Sequence, residues 1–287
     1  MLTIFTPTYN RAKELVRLYN SLKAQTNRDF EWVVIDDGST DNTPEQMQAF
    51  CEEGALSIRF FRQETGGKKR AHNRGAEKAL GDLFVCIDAD DWLTADAVEQ
   101  ILSAKHKIAD NRIGGMMFLN LDGNTDKIVG TPFPWQEQLC SSFDAYNKHG
   151  ITGDKTMVFK TEIMRAFPFP EIEKEKFVPE ALVYNRISEQ YVLLCINLPI
   201  KRVEYLPDGY SNNYFNVCRK NPKAQILYYR ELYPKQPTMY NAAAYDMYCI
   251  YAGEKPMRAI GQHPKPFIAL AMYLPAYIKY LLKERKK

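Results

Sequence analysis

Three aspartates crowd the end of one apolar run. In FVCIDADDWL, residues 84–93, Asp88, Asp90 and Asp91 fall within four positions, straight after a stretch that reads as a buried strand. Carboxylates this close repel one another, so the turn needs positive charge beside it or open water around it. An Asp-X-Asp pair on a turn suits a hard divalent cation. Mg2+ and Mn2+ bind through one or two carboxylates and complete their shell with water and substrate phosphates. Taken by itself, an Asp-rich turn is also an ordinary turn or helix cap.

Other polar clusters decide between these readings. Thr6-Pro7-Thr8-Tyr9-Asn10-Arg11 closes a first apolar run, Asp36-Asp37-Gly38-Ser39 a second, and Gly66-Gly67-Lys68-Lys69-Arg70 follows a third. The Gly-Gly-Lys loop alone is weak as a phosphate site, because the GxxxxGK[ST] pattern is absent. Joint order gives it weight. Two carboxylate clusters and a basic glycine loop, each after a strand, point to a nucleotide, its phosphates and a divalent metal.

The elements that must bring these groups together alternate. Residues 2–6, 31–35, 57–61 and 83–87 read as strands. Between them, Leu15, Leu18 and Leu22 share one helical face with Asn10 as a candidate cap, and residues 70–80 read as a second helix. Residues 95–109 follow as a helix capped by Thr94. Strands alternating with helices predict an α/β fold, a mostly parallel sheet flanked by helices. Ligands bind beyond the carboxyl ends of such strands. After residue 112 the rhythm changes. Residues 116–121, 156–159 and 191–196 read as strands and 178–190 as a helix. From Pro222 onward, helices separated by prolines form a C-terminal extension.

TPTYNR, VVIDDGSTDNT, GGKKRAHNRG and IDADDWL, in that order, resemble the nucleotide-sugar half of a family-2 glycosyltransferase with the GT-A fold. The likeness covers residues 2 to about 110. It implies a Rossmann-like GT-A domain over 1–215, with 1–110 the nucleotide-sugar half and 111–215 the acceptor half, then a helical extension over 216–287. It also implies an inverting enzyme that uses a nucleotide-diphosphate sugar, most often a UDP-sugar, with Mn2+ or Mg2+. By motif position, Thr6, Pro7, Tyr9 and Arg11 line the base pocket. Asp37, with Asp36 near it, holds uracil or ribose. Gly67, Lys68 and Asn73 stand where the family contacts the nucleotide. Asp88-Ala89-Asp90 matches the DXD motif, whose Asp88 and Asp90 hold the metal, and Asp91 extends it. Bacterial polysaccharide-assembly enzymes are similar, which implies a saccharide or lipid-linked saccharide acceptor.

An inverting transfer needs a carboxylate to take the acceptor's proton, and such help is worth roughly 10²–10⁴-fold. Glu180 is the first choice. Pro179 before it suits a helix start, and Ala181, Leu182 and Ile187 would dock that helix. The helix dipole would keep Glu180 ionised. Ala181 stands where the family often has a second acid, so Asp154, in a Gly-Asp-Lys turn, is the alternative base or an acceptor contact. Glu171, Glu173 and Glu175 alternate with other residues as a solvated face. Asp208–Asn212, Arg219 and Lys220 are candidates for closing over the diphosphate. His72 reads as structural.

Composition narrows the rest. Net charge is only +3 and unevenly spread, with +5 from His263 onward, whereas a nucleic-acid binder is usually basic throughout. Six scattered cysteines lack CxxC spacing, Cys86 and Cys195 read as core residues, and four histidines give no zinc motif. The opening MLTIFTPTYN reads as a strand rather than a secretory leader. A cytoplasmic enzyme is expected, at the inner face of the membrane if its tail docks there. That tail, PFIALAMYLPAYIKYLLKERKK, has an apolar part too short to span a bilayer. It reads either as an interfacial helix or as a helix packed on the domain or on a second subunit, the latter making a homodimer. Rival functions fit less well. A sugar-phosphate nucleotidyltransferase wants a glycine-rich loop after the first strand, and TPTYNR has no glycine. A haloacid-type phosphatase wants Thr or Val two places after the second Asp of its DxD. A non-catalytic nucleotide-sugar binder would bind UDP and transfer nothing.

Overall fold

The computed structural model describes residues 1–206, 209 and 213–284. The chain divides into two compact units. One comprises Met1–Phe169 and Arg186–Leu206, the other Pro170–Asn185 and Pro207–Lys287.

The first unit carries the sheet. Its elements run β1 (Leu2–Thr8), α1 (Ala12–Lys23), β2 (Phe30–Asp36), α2 (Thr43–Glu53), β3 (Ile58–Arg62), α3 (Lys68–Lys78), β4 (Leu83–Cys86), β5 (Trp92–Leu93) and α4 (Ala97–Ala104). Then come β6 (Ile113–Asp122), β7 (Glu137–Cys140), α5 (Ser142–Asn147), β8 (Thr156–Lys160), α6 (Thr161–Ala166), α7 (Glu180–Ile187), along which the chain returns from the second unit, and β9 (Val192–Val203). The strand order is β3-β2-β1-β4-β8-β6-β9-β5, with β7 also on β9. The first four strands in that order are parallel. β8 runs antiparallel between β4 and β6, and β5 and β7 run antiparallel to β9. Helices flank the sheet and its first four strands are parallel, as expected, but the sheet is mixed, because β8, β5 and β7 pair antiparallel.

Every residue of β1 and β2 is buried, which marks strands covered on both faces. Leu15, Leu18 and Leu22 of α1 pack into one core with Ile4, Trp32 and Val34. Tyr19 stacks on Phe50 at 3.9 Å. On the other face α3 lies so close to β1 that a methyl group on Gly75 would fall 2.3 Å from the Phe5 ring. His72 is buried among Phe5, Phe84 and Phe169, its ring 4.9 Å from Phe169. It is a packing residue.

The boundaries differ from expectation in informative ways. β1 and β6 run on further, and β9 continues to Val203. The two-residue β5 and the four-residue β7 have too little sequence for a period to show. The helix expected over 95–109 is α4 followed by a 3-10 turn, Lys105–Ile108. Thr94 does not cap it by its side chain; its hydroxyl turns to Asp96 and to the Ile200 carbonyl.

The second unit holds α8 (Tyr214–Lys220), α9 (Pro222–Leu232), α10 (Met239–Tyr251), α11 (Pro256–Gln262) and α12 (Pro266–Glu284). Residues 170–185 fold with these helices instead of with the sheet. Phe177 shares a core with Cys218, Met247 and Tyr248. The Asn221 side chain accepts from the Lys176 and Phe177 N–H groups at 2.8 and 3.1 Å. Glu175, expected on a solvated face, caps α9: its two oxygens accept from Lys223 N–H at 2.7 Å and Ala224 N–H at 2.8 Å.

Candidate active site

β1, β2 and β4 are parallel neighbours, so their carboxyl ends share an edge. The loops there are laced together. Asp37 N–H donates to the Thr8 carbonyl at 2.9 Å, and Asn10 N–H to Ser39 Oγ at 2.8 Å. Asn10 sits in the left-handed region at φ +52°, which asparagine tolerates. Its side chain does not cap α1; it accepts from Thr40 N–H at 2.8 Å. The start of α1 is served instead from the second loop, where Thr43 Oγ1 accepts from Arg11 N–H and Asp41 Oδ2 from Ala12 N–H. Thr6 is fully buried and its hydroxyl accepts from the Trp32 indole at 3.0 Å. Pro7 is buried too, so of the four residues expected at the base pocket Tyr9, 48% exposed, and the half-buried Arg11 are the reachable ones.

The adjacent aspartates face inward. Asp36 is fully buried, its Oδ1 accepting from Ser39 N–H and its Oδ2 3.3 Å from Arg62 Nε. Asp37 holds the glycine loop. Its Oδ1 accepts from Gly66 N–H and from Gln63 Nε2, both at 2.8 Å, and its Oδ2 from Gly67 N–H at 2.7 Å. Gly67 has φ +94°, a conformation for which glycine is suited. Asp37 thereby fixes the loop that opens α3 and delivers Lys68. Asn73, on α3, spends both ends of its amide on the Phe169 backbone, each at 2.8 Å.

The acidic turn has the positive charge it needs. Lys68 Nζ lies 2.7 Å from Asp88 Oδ2. Lys201, on β9, lies 2.6 Å from Asp91 Oδ2. The Arg17 guanidinium donates to the Asp90 carbonyl at 2.6 Å, pairs with Glu204 and covers the Trp92 ring at 3.8 Å. Asp91 is therefore an internal ion-pair partner, while Asp88 and Asp90 flank the buried Ala89 as half-buried carboxylates. Burial, then the charges of Asp88 and Asp91, push the Asp90 carboxyl up to about 6. A cation between Asp88 and Asp90 would reverse that crowding. Among the described residues no three His, Cys, Asp or Glu side chains cluster for a metal. Two carboxylates nonetheless suit Mg2+ or Mn2+, which take their remaining ligands from water and phosphate.

The two candidate bases fall in different units. β8 runs antiparallel to β4, so Asp154, exposed just before β8, lies at the edge where β4 delivers the acidic turn. Burial and then the Asp154 charge raise the Tyr205 hydroxyl, with Asp91 adding to it; Tyr205 thus lies within electrostatic reach of both carboxylates. Lys155 is buried and donates to the Val129, Thr152 and Gly153 carbonyls. Glu180 is the first residue of α7, half-buried, in the second unit. Arg219 and Lys220 end α8 in that unit. Of Asp208–Asn212, all but Gly209 lie outside the described residues. Sequence reading missed Arg17, Lys201, Glu204 and Tyr205. A lysine inside the apolar strand LPIKRV was the available signal, since such a lysine needs a buried partner.

The chain is similar to known proteins in both sequence and fold. Residues 3–164 match the glycosyl transferase family 2 profile. An uncharacterized glycosyltransferase of Haemophilus influenzae is 31% identical over 204 residues, 67% of this chain and 78% of that protein. One from Nostoc is 30% identical over 128 residues, 45% of this chain but 39% of that longer relative. The structure of TarS 1-349 from S. aureus in complex with UDP-GlcNAc superposes with a TM-score of 0.65 at 16% identity, covering 99% of this chain and 91% of TarS 1-349. The likeness in fold is to GT-A glycosyltransferases, and the chain belongs to glycosyl transferase family 2.

Proposed function

We propose that this chain transfers a sugar, with inversion, from a nucleotide-diphosphate sugar to a hydroxyl of a saccharide or lipid-linked saccharide in cell-surface polysaccharide synthesis. One observation carries the reading. The acidic turn pairs the buried Asp91 with Lys201 and sets Asp88, paired with Lys68 of the glycine loop, and Asp90 half-buried at the carboxyl edge of the parallel strands. A divalent cation held by Asp88 and Asp90 would offset the charge of the diphosphate. Of the expected base-pocket residues in the first loop, Tyr9 and Arg11 are the ones exposed enough to meet the base. By family position Asp37, with Asp36 near it, holds uracil or ribose, and Asp37 also shapes the Gly66-Gly67 loop beside the nucleotide. UDP-GlcNAc in the TarS complex supports uridine as the base. The reading also carries a cytoplasmic location.

In the reaction, Glu180 takes the proton of the acceptor hydroxyl. The oxygen attacks the anomeric carbon as the bond to the diphosphate breaks, and the nucleoside diphosphate departs with the electron pair. Asp154 is the second reading for the base, favoured by its place on the edge shared with the acidic turn.

Calorimetry of UDP with and without Mn2+, on wild type and Asp90→Ala, tests the donor site. Metal-dependent binding that the variant loses is expected. Binding that ignores the metal, or that favours GDP or dTDP, overturns the metal role or the uridine assignment. Binding without transfer from any sugar nucleotide would make the chain a non-catalytic binder. Glu180→Gln and Asp154→Asn separate the bases: the true base loses about 10²–10⁴-fold in kcat with UDP binding intact.

A further inference from the structure

Helix α12 has two unlike faces. Ala269 and Ala276 are buried, and Ala276 belongs to the core that contains Met247 and Tyr248 of α10. The opposite face is exposed and apolar. Phe267, Leu270, Leu274, Tyr277, Ile278 and Leu281 all project from it, with Phe267 89% and Leu274 65% exposed. At 100° per residue these positions span an arc of less than about half the helix circumference. Six large apolar side chains in one stripe are not the scattered exposure that any soluble surface shows.

Charge decides what covers this stripe. No charged residue occurs from Pro266 to Ile278. From His263 onward the sequence carries six Lys or Arg and one Glu, a net +5, in a chain whose total is +3. A second copy docking through this face would bring two such segments together, and like charges oppose that contact. An anionic bilayer offers both an apolar layer for the stripe and negative headgroups for the lysines and arginines. Tyr277 in the stripe has the amphipathic ring suited to the headgroup level. No helix among the described residues is long and apolar enough to cross a membrane, so α12 would lie on the surface.

We propose that α12 docks the chain on an anionic phospholipid bilayer through its Phe267–Leu270–Leu274–Ile278 face. This deepens the reading of a lipid-linked acceptor, because it brings the enzyme to the surface where such an acceptor resides. The test does not depend on transfer. The whole chain is sedimented with phosphatidylcholine vesicles, with and without phosphatidylglycerol. Binding at least about tenfold tighter to the anionic vesicles is expected, weakening with added salt. Leu274→Ser/Ile278→Ser changes no charge and alters only exposed positions. It should lose vesicle binding by about tenfold or more while UDP binding in solution stays as in wild type. Absence of wild-type binding, or equal binding by the double variant, overturns the proposal. So does a dimer in analytical ultracentrifugation that the double variant abolishes, which would give the face to a second copy.

Discussion

Lys201 Nζ lies 2.6 Å from Asp91 Oδ2, with the two side chains only 12% and 7% exposed. The pair joins β9 to the turn after β4. Burial opposes the Lys201 charge, but the Asp91 and Asp88 carboxylates overcome it and raise the ammonium above its ordinary value. Asp91 is thereby paired across the sheet with Lys201, while Asp88 pairs with Lys68 and Asp90 stays half-buried between them.

Removing Lys201 should cost far more than an ordinary surface change. Lys201→Met strands a buried carboxylate, and breaking a buried pair costs about 3–5 kcal/mol. Lys201→Met/Asp91→Leu should recover much of that loss, since an apolar pair needs no charge compensation. Urea unfolding of the two variants measures the difference. Equal loss in both would mean that packing, not charge, holds the turn.

Metal affinity should fall in mild acid. With the Asp90 carboxyl near 6 in the metal-free protein, a proton competes with the cation below that pH. Mn2+ affinity in the presence of UDP should be nearly level above pH 7 and drop by up to about tenfold per pH unit below 6. Titration calorimetry across pH 5 to 8 reads this as proton release that grows as pH falls. A flat profile would place the cation away from Asp90.

The Glu175 cap should be measurable by itself. Glu175→Ala leaves the Lys223 and Ala224 N–H groups of α9 without their acceptor, at a cost of about 1–2 kcal/mol. Glu175→Gln keeps one acceptor oxygen and should lose less. Thermal melts of both variants check the order.

Asp246, on α10, gives a pH dependence of opposite sense to that of an ion-paired carboxylate. It is fully buried, and among the described residues neither oxygen has a hydrogen-bond partner. Burial alone pushes its carboxyl up to about 7. Its folded value exceeds its unfolded one, so the folded state holds the proton longer. The stability that Asp246 contributes should therefore be fully present below about pH 4 and be lost as pH rises from there through 7. Asp246→Asn should stabilise the protein by on the order of 1–4 kcal/mol at pH 8 and by almost nothing at pH 4. Denaturant midpoints at those two pH values decide it; the same shift at both would deny the titration.

Much of the site was legible before any coordinates. β1 and β2 announce themselves as continuous apolar runs, and the residues that follow such strands must gather at one edge when the strands are parallel. Lys68 against Asp88 follows from that gathering. Local turn chemistry misled where partners came from elsewhere. Asn10 looks like the cap of α1, yet it serves the second loop, and Asp41 and Thr43 serve the helix. Glu175 looks solvated among charged neighbours, yet it caps a helix about 50 residues later in the chain.

The sequence by itself determined the alternation of strands and helices, the order of the polar loops and the DXD pair, because hydrophobic period and strand direction are local properties that a short window records. Only the tertiary structure decided which acid meets which cation, Asp88 the Lys68 of the glycine loop and Asp91 the buried Lys201. Asp88, Asp90 and Asp91 are alike in sequence. What separates them is Lys201, 110 positions after Asp91, brought beside it by the two-residue β5 pairing with β9. A pairing so short leaves no periodic trace, and a buried charge chooses its partner by distance in space.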